Sequence, residues 1–449
     1  MQYLDFHRLE PEQREQLLIN CIIGIVILLV SIVLEDSTWG RKNVNLQFDT
    51  FILEEASNVK GQHDTRISPE IVFFDIDNIT YQKWGRPNLT PRDKVAQLME
   101  IAYEGGARVI VSDINVEEPD YTPTQSLEGE PSLSGLQRDQ RLRQVLEDIK
   151  LHGGNTKVIL PAISYTDKTL RRNIFDDLID NHIIYRGTPA SVRDEYDQVT
   201  RYWLPFQEYI NNKGERDVLW SSPLLAVILA NGGDIEDLKE QAETVEQYCE
   251  ANHKPFLLEM KNSQQKIQLY TEVGSQYNRI RYFLLPENIL TPNGTLYAVN
   301  QRKTSSGMEV FTTTNPSYSL KGKIVIIGNS SPEYNDMHMT PVGNIPGMYV
   351  QGNVINTLLQ NQQISISHPV LHYIVEVILI ILASYIFLYF HSFAAQLLLS
   401  GFIISLLPIF YYLFLSTGIF FDLAFPLLGI GFHELFAKTE QLFVGKKHR

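Results

Sequence analysis

Four segments of this chain carry almost no charge over lengths that match a bilayer, and no other feature limits the possible folds as strongly. Between residues 369 and 435 only Glu376, Asp422 and Glu434 are charged, although Asp, Glu, Lys and Arg make up 20% of the whole. A helix rises about 1.5 Å per residue, so a hydrocarbon layer of roughly 30 Å needs about 17 to 25 apolar residues. Residues 17–34, 370–390, 397–415 and 419–436 meet that length. The reading is an all-α membrane part of four helices, one N-terminal and three C-terminal. Residues 17–34 exceed a signal-peptide core of about 7 to 15 residues, and Glu35, Asp36 and Trp39 follow in place of a small-residue cleavage site, so this segment reads as an uncleaved anchor. The short gaps at 391–392 and 416–418 allow helical hairpins only. Glu376 lies roughly 10 Å along its helix and reads as a carboxylate snorkelling to the headgroup level.

Lys438, Lys446, Lys447 and Arg449 form the strongest cationic cluster beside any span, whereas Arg8 and Arg14 are matched by Arg41 and Lys42 across the first one. The positive-inside tendency therefore places the tail in the cytoplasm. Residues 1–16 are then a cytoplasmic N-terminus, 17–34 the anchor, 35–368 an extracytoplasmic domain, 369–437 three transmembrane helices and 438–449 a basic cytoplasmic tail. The lipid bilayer is the first partner. Nucleic acid is disfavoured, because a net charge of -14 gives no broad positive field. Cys21 lies in the first span and Cys249 is the outer domain's only cysteine, so the domain has no internal disulfide and must be held by packing.

The outer segment reads as one α/β domain with a mostly parallel sheet. Residues 70–77 (EIVFFDID) and 107–112 (ARVIVS) are apolar runs, as in strands buried on both faces, and each meets acids at its carboxyl end. Between them Thr90 reads as an N-cap with Pro91 at the first helical position, and Gly105/Gly106 close the helix. A helix over 138–151, a strand over 157–163, a short apolar helix after Ser222 and Pro223, a strand over 323–328 (KIVIIG) and a helix over 348–359 continue the alternation. The alternation in residues 279–283 (RIRYF) reads as an ordinary strand.

In open parallel sheets ligands bind beyond the carboxyl ends of the strands. Asp75 and Asp77 end the first strand, Asp113 the second, and Asp336 with His338 follow KIVIIG. Were these strands neighbours about 4.8 Å apart, the five groups would converge, as a site for a divalent ion or an amine-bearing ligand. Three roles stay open: caps and loop-amide acceptors, a small-molecule pocket, or a metal site. No G-x-S-x-G elbow, P-loop or H-E-x-x-H motif is present, so no catalytic residue, cofactor or enzyme activity is assigned.

The Asp75–Ile76–Asp77 segment, the turn from Trp84 to Pro87, the Pro91/Arg92 helix start, Gly106/Ala107 and VIVSDI at 109–114 resemble the opening of the type-two CHASE domain, a cyclase and histidine-kinase associated sensory extracellular family. Residues 322–360 resemble its closing motif, with Ile327/Gly328, Asp336, Thr340/Pro341, Pro346/Gly347 and a final helix, and Asp197 and Arg201 fall at its Asp-x-x-x-Arg stretch. The resemblance covers roughly residues 45–365 and extends to the one-plus-three spans. It implies a multi-pass sensor of the bacterial cytoplasmic membrane with its main domain in the periplasm. About a dozen residues follow the last span, so the expectation is output through a separate membrane or cytoplasmic protein, with paired spanning helices compatible with a homodimer. The alternatives are an assembly subunit of an envelope complex and an extracytoplasmic metal-dependent enzyme.

Overall fold

The computed structural model describes residues 10–35, 37–59, 65–121, 133–162, 168–170, 173–189, 191–211, 213–235, 238, 241–259, 266–286, 297–298, 302–304, 307–309, 320–366, 369–390 and 392–420. The chain divides into two compact units, Met1–Phe51 with Ile364–Arg449, and Ile52–Gln363. The first unit opens with helices α1 (Pro11–Glu35) and α2 (Thr38–Ser57), and the division falls inside α2.

The second unit is built on a six-stranded sheet. Its strands are β1 (Ile71–Ile76), β2 (Val109–Ser112), β3 (Lys157–Pro161), β4 (Ile184–Gly187), β5 (Tyr297–Ala298) and β6 (Ile324–Asn329). They run in the order β5-β1-β6-β2-β3-β4, and every pairing is parallel. Every residue of β1, β2 and β6 is buried, the burial expected of strands covered on both faces.

The covering helices follow from local signals. After a single short turn of helix, α3 (Asn78–Lys83), comes α4 (Arg92–Glu104). It starts one residue later than the Thr90 cap predicts: Pro91 stands at φ -57, ψ 126, outside the helical well, and its carbonyl accepts the first amide bonds from Lys94 and Val95. Helix α5 (Gly135–His152) begins three residues before its predicted start, because Ser134 and Gln137 form a reciprocal capping box. Val95, Leu98, Met99, Leu142, Leu146 and Ile149 from α4 and α5 pack with Val72, Phe74, Ile110, Val158 and Ile327 of the sheet in one continuous core. Each such fully buried side chain contributes about 1.5 to 3 kcal/mol relative to exposure. Helices α6 (Ser222–Ala230) and α8 (Gly347–Leu359), separated in sequence by α7 (Gln241–Asn252), pack on each other; α6 lies against β2 and β3, and α8 against β6.

Residues 279–283 are not a strand. All five are buried, and the segment makes only an isolated bridge, Arg279 to Tyr202. Side chains of α8 take the place of a ladder: Asn353 Oδ1 accepts from Phe283 N at 2.7 Å and Leu284 N at 2.8 Å, its Nδ2 donates to Leu284 O, and Thr357 Oγ1 meets Arg281 N and O at 3.4 Å. Arg281, 2% exposed, pairs with Glu55 of α2, 0% exposed, with Nε to Oε2 at 3.2 Å and Nη2 to Oε1.

In the first unit α1 packs on α9 (Pro369–Tyr389), with Gly24 so close to Ile380 that an added Cβ would lie 2.3 Å from its Cγ2, and with Asn20 Nδ2 donating to Ser384 O. Helix α10 (Ser392–Thr417) contains Leu397–Thr417, 21 residues long and apolar enough to cross a membrane; Val377–Tyr389 is apolar but shorter. Among the described residues one helix meets that test, of the four spans expected. Ile419 and Phe420, predicted to open the last span, instead pair in parallel with Ser365 and Ile366. The rest of that span, the basic tail and the Glu376 side chain lie outside the described residues. Cys21 and Cys249 are unbridged.

Candidate functional site

Because the sheet is parallel, all its strands deliver their carboxyl ends to one edge. Asp75 on β1 is in register with Gly328 on β6, and Ser112 at the end of β2 is in register with Ile327, so Asp113 continues the row through Gly328. Residues in register across a parallel sheet point to the same face. That face belongs to α8: a Cβ on Gly328 would lie 2.6 Å from Met348 Cβ, and one on Gly352 would lie 2.3 Å from Phe73 Cζ. The two glycines let the helix come down onto the sheet, and α8 then lays a polar residue on each acid. Tyr349 stacks on Phe73 with centroids 4.7 Å apart and donates from its hydroxyl to Asp75 Oδ2 at 2.8 Å. Gln351 Nε2 donates to Asp113 Oδ1.

The loop leaving β6 supplies the remaining members. Gly347 at the first turn of α8 donates to the Asp336 carbonyl at 2.9 Å, and a Cβ there would lie 2.4 Å from Asp336 Oδ2. His338 Nε2 lies 3.3 Å from Asp336 Oδ1. Residues 337–340 and 343–346 form a hairpin that holds this segment, β7 (Met337–Thr340) and β8 (Gly343–Pro346). Burial pushes the Asp75 carboxyl up to about 6, against hydrogen bonds from Ser330 and Tyr349. Asp113 is raised well above the carboxylate range, first by burial and then by the charge of Asp336. Burial also raises the Tyr334 phenol, which feels Arg92, Asp113 and Asp336 together.

Hydrogen bonding at this edge is incomplete. Asp75 Oδ1, Asp113 Oδ2, Asn329 Nδ2, Gln351 Oε1 and His338 Nδ1 are closed to solvent and meet no hydrogen-bond partner among the described residues. Buried polar groups are paired in the great majority of folded proteins, so these five atoms make the edge a candidate binding site.

Of the five residues singled out in sequence, the structure joins Asp113, Asp336 and His338, and sets Asp75 in the same row two strands away. Asp77 serves elsewhere, as the N-cap of α3, where it accepts from Thr80 N at 2.8 Å. The assumption of neighbouring strands fails for β1 and β2, because β6 lies between them and sets Asp75 and Asp113 about 10 Å apart at the backbone. Among the described residues no group of three or more His, Cys, Asp or Glu side chains is placed to hold a metal ion. Tyr349, Gln351 and Asn329 escape a reading of the sequence, since a helix recognised by its apolar spacing gives its polar positions no separate signal. Asp197 and Arg201 form a bidentate ion pair at 2.6 and 2.7 Å, away from this edge in the sequence and engaged with each other.

No curated protein and no solved structure matches the chain. A family model described as the CHASE2 domain matches residues 25–389. With the strand-end motif and the closing helix now seen as one folded edge, the chain belongs to the CHASE2 family of extracellular sensory domains.

Proposed function

We propose that the protein is a non-catalytic, multi-pass membrane sensor whose CHASE2 domain lies outside the cytoplasm, receives a small molecule at the carboxyl edge of its sheet, and hands the change to a partner protein. The family match over residues 25–389 carries the sensory part of this reading. The membrane part is supported by the surface of the first unit. Leu18, Ile22, Ile25, Leu29 and Val33 are exposed along one side of α1, Ile374, Val377, Ile378 and Ile381 on α9, and Leu397, Ile404, Ile409 and Tyr412 on α10. Apolar faces of that extent are unfavourable in water and natural against lipid. The small residue at the α1–α9 crossing, Gly24, and the side chain-to-backbone bond from Asn20 fit helix packing in a bilayer, where close approach and polar contacts replace the hydrophobic effect. Four spans, with 370–390 and 419–436 among them, are the arrangement proposed.

A ligand shifts such a domain only by binding two arrangements unequally. The edge offers that difference, because β1, β2, the β6 loop and α8 each contribute a group to it. The test is thermal unfolding of the full-length protein in nanodiscs with the low-molecular-mass fraction of an envelope extract. A rise in midpoint for the native protein, absent in a folded Asp113→Asn variant, supports the sensor. No rise, together with a stoichiometric partner crosslinked in membranes, selects the assembly-subunit reading in its place. Topology is checked separately: a protease site inserted at Gly154 should be cut in spheroplasts while a tag at Arg449 stays protected.

A further inference from the structure

The unmet hydrogen-bonding capacity at the carboxyl edge has a sign. Three of its atoms, Asp75 Oδ1, Asp113 Oδ2 and Gln351 Oε1, are oxygens that, with the carboxyls ionised, only accept; Asn329 Nδ2 only donates, and His338 Nδ1 does either according to its tautomer. Asp75 and Gln351 are 5% and 4% exposed. The Gln351 amide is fixed against Asp113 through its nitrogen, so its unmet oxygen belongs to the same edge. A buried acceptor left without a donor is a standing cost to the folded state. The nearby arginines lie toward other carboxylates: Asp139 is the nearest charge on Arg92, 3.9 Å from its Nε, although Arg92 Nε and Nη1 also lack a hydrogen-bond partner among the described residues, and Arg86 pairs with Glu333 at 3.1 Å. Where α8 lies over the edge, the unmet atoms of Asp75, Asp113 and Gln351 are therefore all acceptors once the acids are ionised.

We propose that the carboxyl edge takes an organic cation that donates hydrogen bonds, a primary ammonium or a guanidinium, with Asp75, Asp113 and Gln351 Oε1 as its acceptors. This rests on the sensory reading of the same edge and names the ligand's chemistry. A metal ion fits less well, because the acceptors are spread over about 10 Å from β1 to β2 and no three-group ligand set is present among the described residues. Donors carried on an organic skeleton can be spaced to reach both acids. Burial raises the Asp75 and Asp113 carboxyls, so their ionised forms are costly without a counter-charge. The groups facing Asp113 are Asp336, Tyr334 and Gln351, none of them a cation, so an arriving ammonium supplies the counter-charge that the ionised acid lacks there.

The experiment is thermal unfolding and calorimetric titration of the full-length protein in nanodiscs with five probes: 1,4-diaminobutane, choline, glucose, succinate and calcium chloride. Diaminobutane should raise the unfolding midpoint, and choline, whose quaternary ammonium has no N–H to donate, should not. Asp113→Asn and Gln351→Leu should each weaken diaminobutane by about tenfold or more while remaining folded, and Asp177→Asn, on the exposed surface, should bind like the native protein. Stabilisation by glucose, succinate or calcium in place of diaminobutane overturns the cation assignment, as does no response to any probe. Equal diaminobutane binding in the edge variants overturns the location. Should the envelope extract still stabilise the native protein but not Asp113→Asn, the sensor reading survives while the cation chemistry falls.

Discussion

Glu55 in the last turn of α2 and Asp75 at the carboxyl edge are 0% and 5% exposed, yet they are buried by opposite means. Glu55 faces Arg281, itself stacked over Phe283 at 5.2 Å, with Arg66 close behind. Asp75 faces the Tyr349 hydroxyl and Ser330, and its Oδ1 meets no hydrogen-bond partner among the described residues. Burial raises both carboxyls above their ordinary values, and at Glu55 it does so in spite of the arginine. This unit therefore treats its acids according to place. Where a helix must be tied down, a fixed cation completes the pair; at the sheet edge, the Asp75 carboxyl meets a neutral hydroxyl. Removing one member of a completed pair leaves a buried charge, whereas removing an acid from the open edge relieves one.

Glu55→Gln should do the most damage. It leaves Arg281 buried without its counter-ion and should cost about 3 to 5 kcal/mol in urea unfolding of the full-length protein. Replacing both Glu55 and Arg281 by apolar residues of similar volume should recover much of that loss. A single variant as stable as the native protein would show that the pair contributes no closure to the α2 turn.

Asp75→Asn probes the other side through pH. Its carboxyl stands at about 6 when folded, against an ordinary 3.8, so between those values the unfolded chain has released its proton while the folded one keeps it. The unfolded state then binds fewer protons, and stability falls as pH rises through that window, by about 3 kcal/mol in all. Above about pH 6 the penalty is constant. Midpoints measured at pH 4, 5, 6 and 7 should decline less steeply in the variant than in the native protein; identical slopes would mean that burial does not hold the proton on Asp75.

The two regions were not equally legible in the sequence. Strands β1, β2 and β6 were readable because burial on both faces demands uninterrupted apolar runs, and their terminal acids were visible as the first polar residues after them. Their lateral order was not, since no local feature of residues 324–329 announces insertion between strands formed about 200 residues earlier. Tyr349 and Gln351 were hidden inside a helix whose apolar spacing had already accounted for it. Helix α2 went unseen because Thr38–Ser57 mixes charged and apolar residues without a clear stripe, and Glu55 with it. Arg279 and Arg281 read as part of an ordinary strand, although the unit buries them outside any ladder by pairing Arg281 with that unseen glutamate and placing Arg279 over Tyr202. Long-range charge pairing leaves no periodic trace, so the edge was half visible and the anchored turn was not.

The glycines that make the edge possible give a more modest effect. Gly352→Ala sets a methyl 2.3 Å from Phe73 Cζ, with Ile326 behind it at 3.5 Å. The helix must lift or the ring must turn, at about 1 to 3 kcal/mol. Since Phe73 carries Tyr349, the lift should also loosen the hydroxyl from Asp75, so this variant ought to lose part of the pH slope along with stability. Loss of stability with the slope intact would separate the packing of α8 from the environment of the acid.

The weakest response is expected from the arrangement that neither region uses, a carboxylate paired but not buried. Asp177 accepts from Arg143 at 2.6 and 3.1 Å, and that bond holds its carboxyl below the ordinary value. The sign is opposite to that of Asp75: this stabilisation is present above the unfolded value and fades as pH falls through the folded one. With 63% of the Asp177 side chain in water, solvent and salt screen most of it, and Asp177→Asn should cost only about 0.2 to 1 kcal/mol, shrinking further in 1 M salt. Taken with Glu55 and Asp75, this pair separates the two variables. If pairing alone governed stability, Asp177 and Glu55 would respond alike. If burial alone did, Glu55 and Asp75 would. Pairing and burial acting together require a large loss at Glu55, a pH-dependent relief at Asp75 and a salt-sensitive remnant at Asp177, and a loss at Asp177 as large as that at Glu55 would erase the distinction between the anchored turn and the open edge.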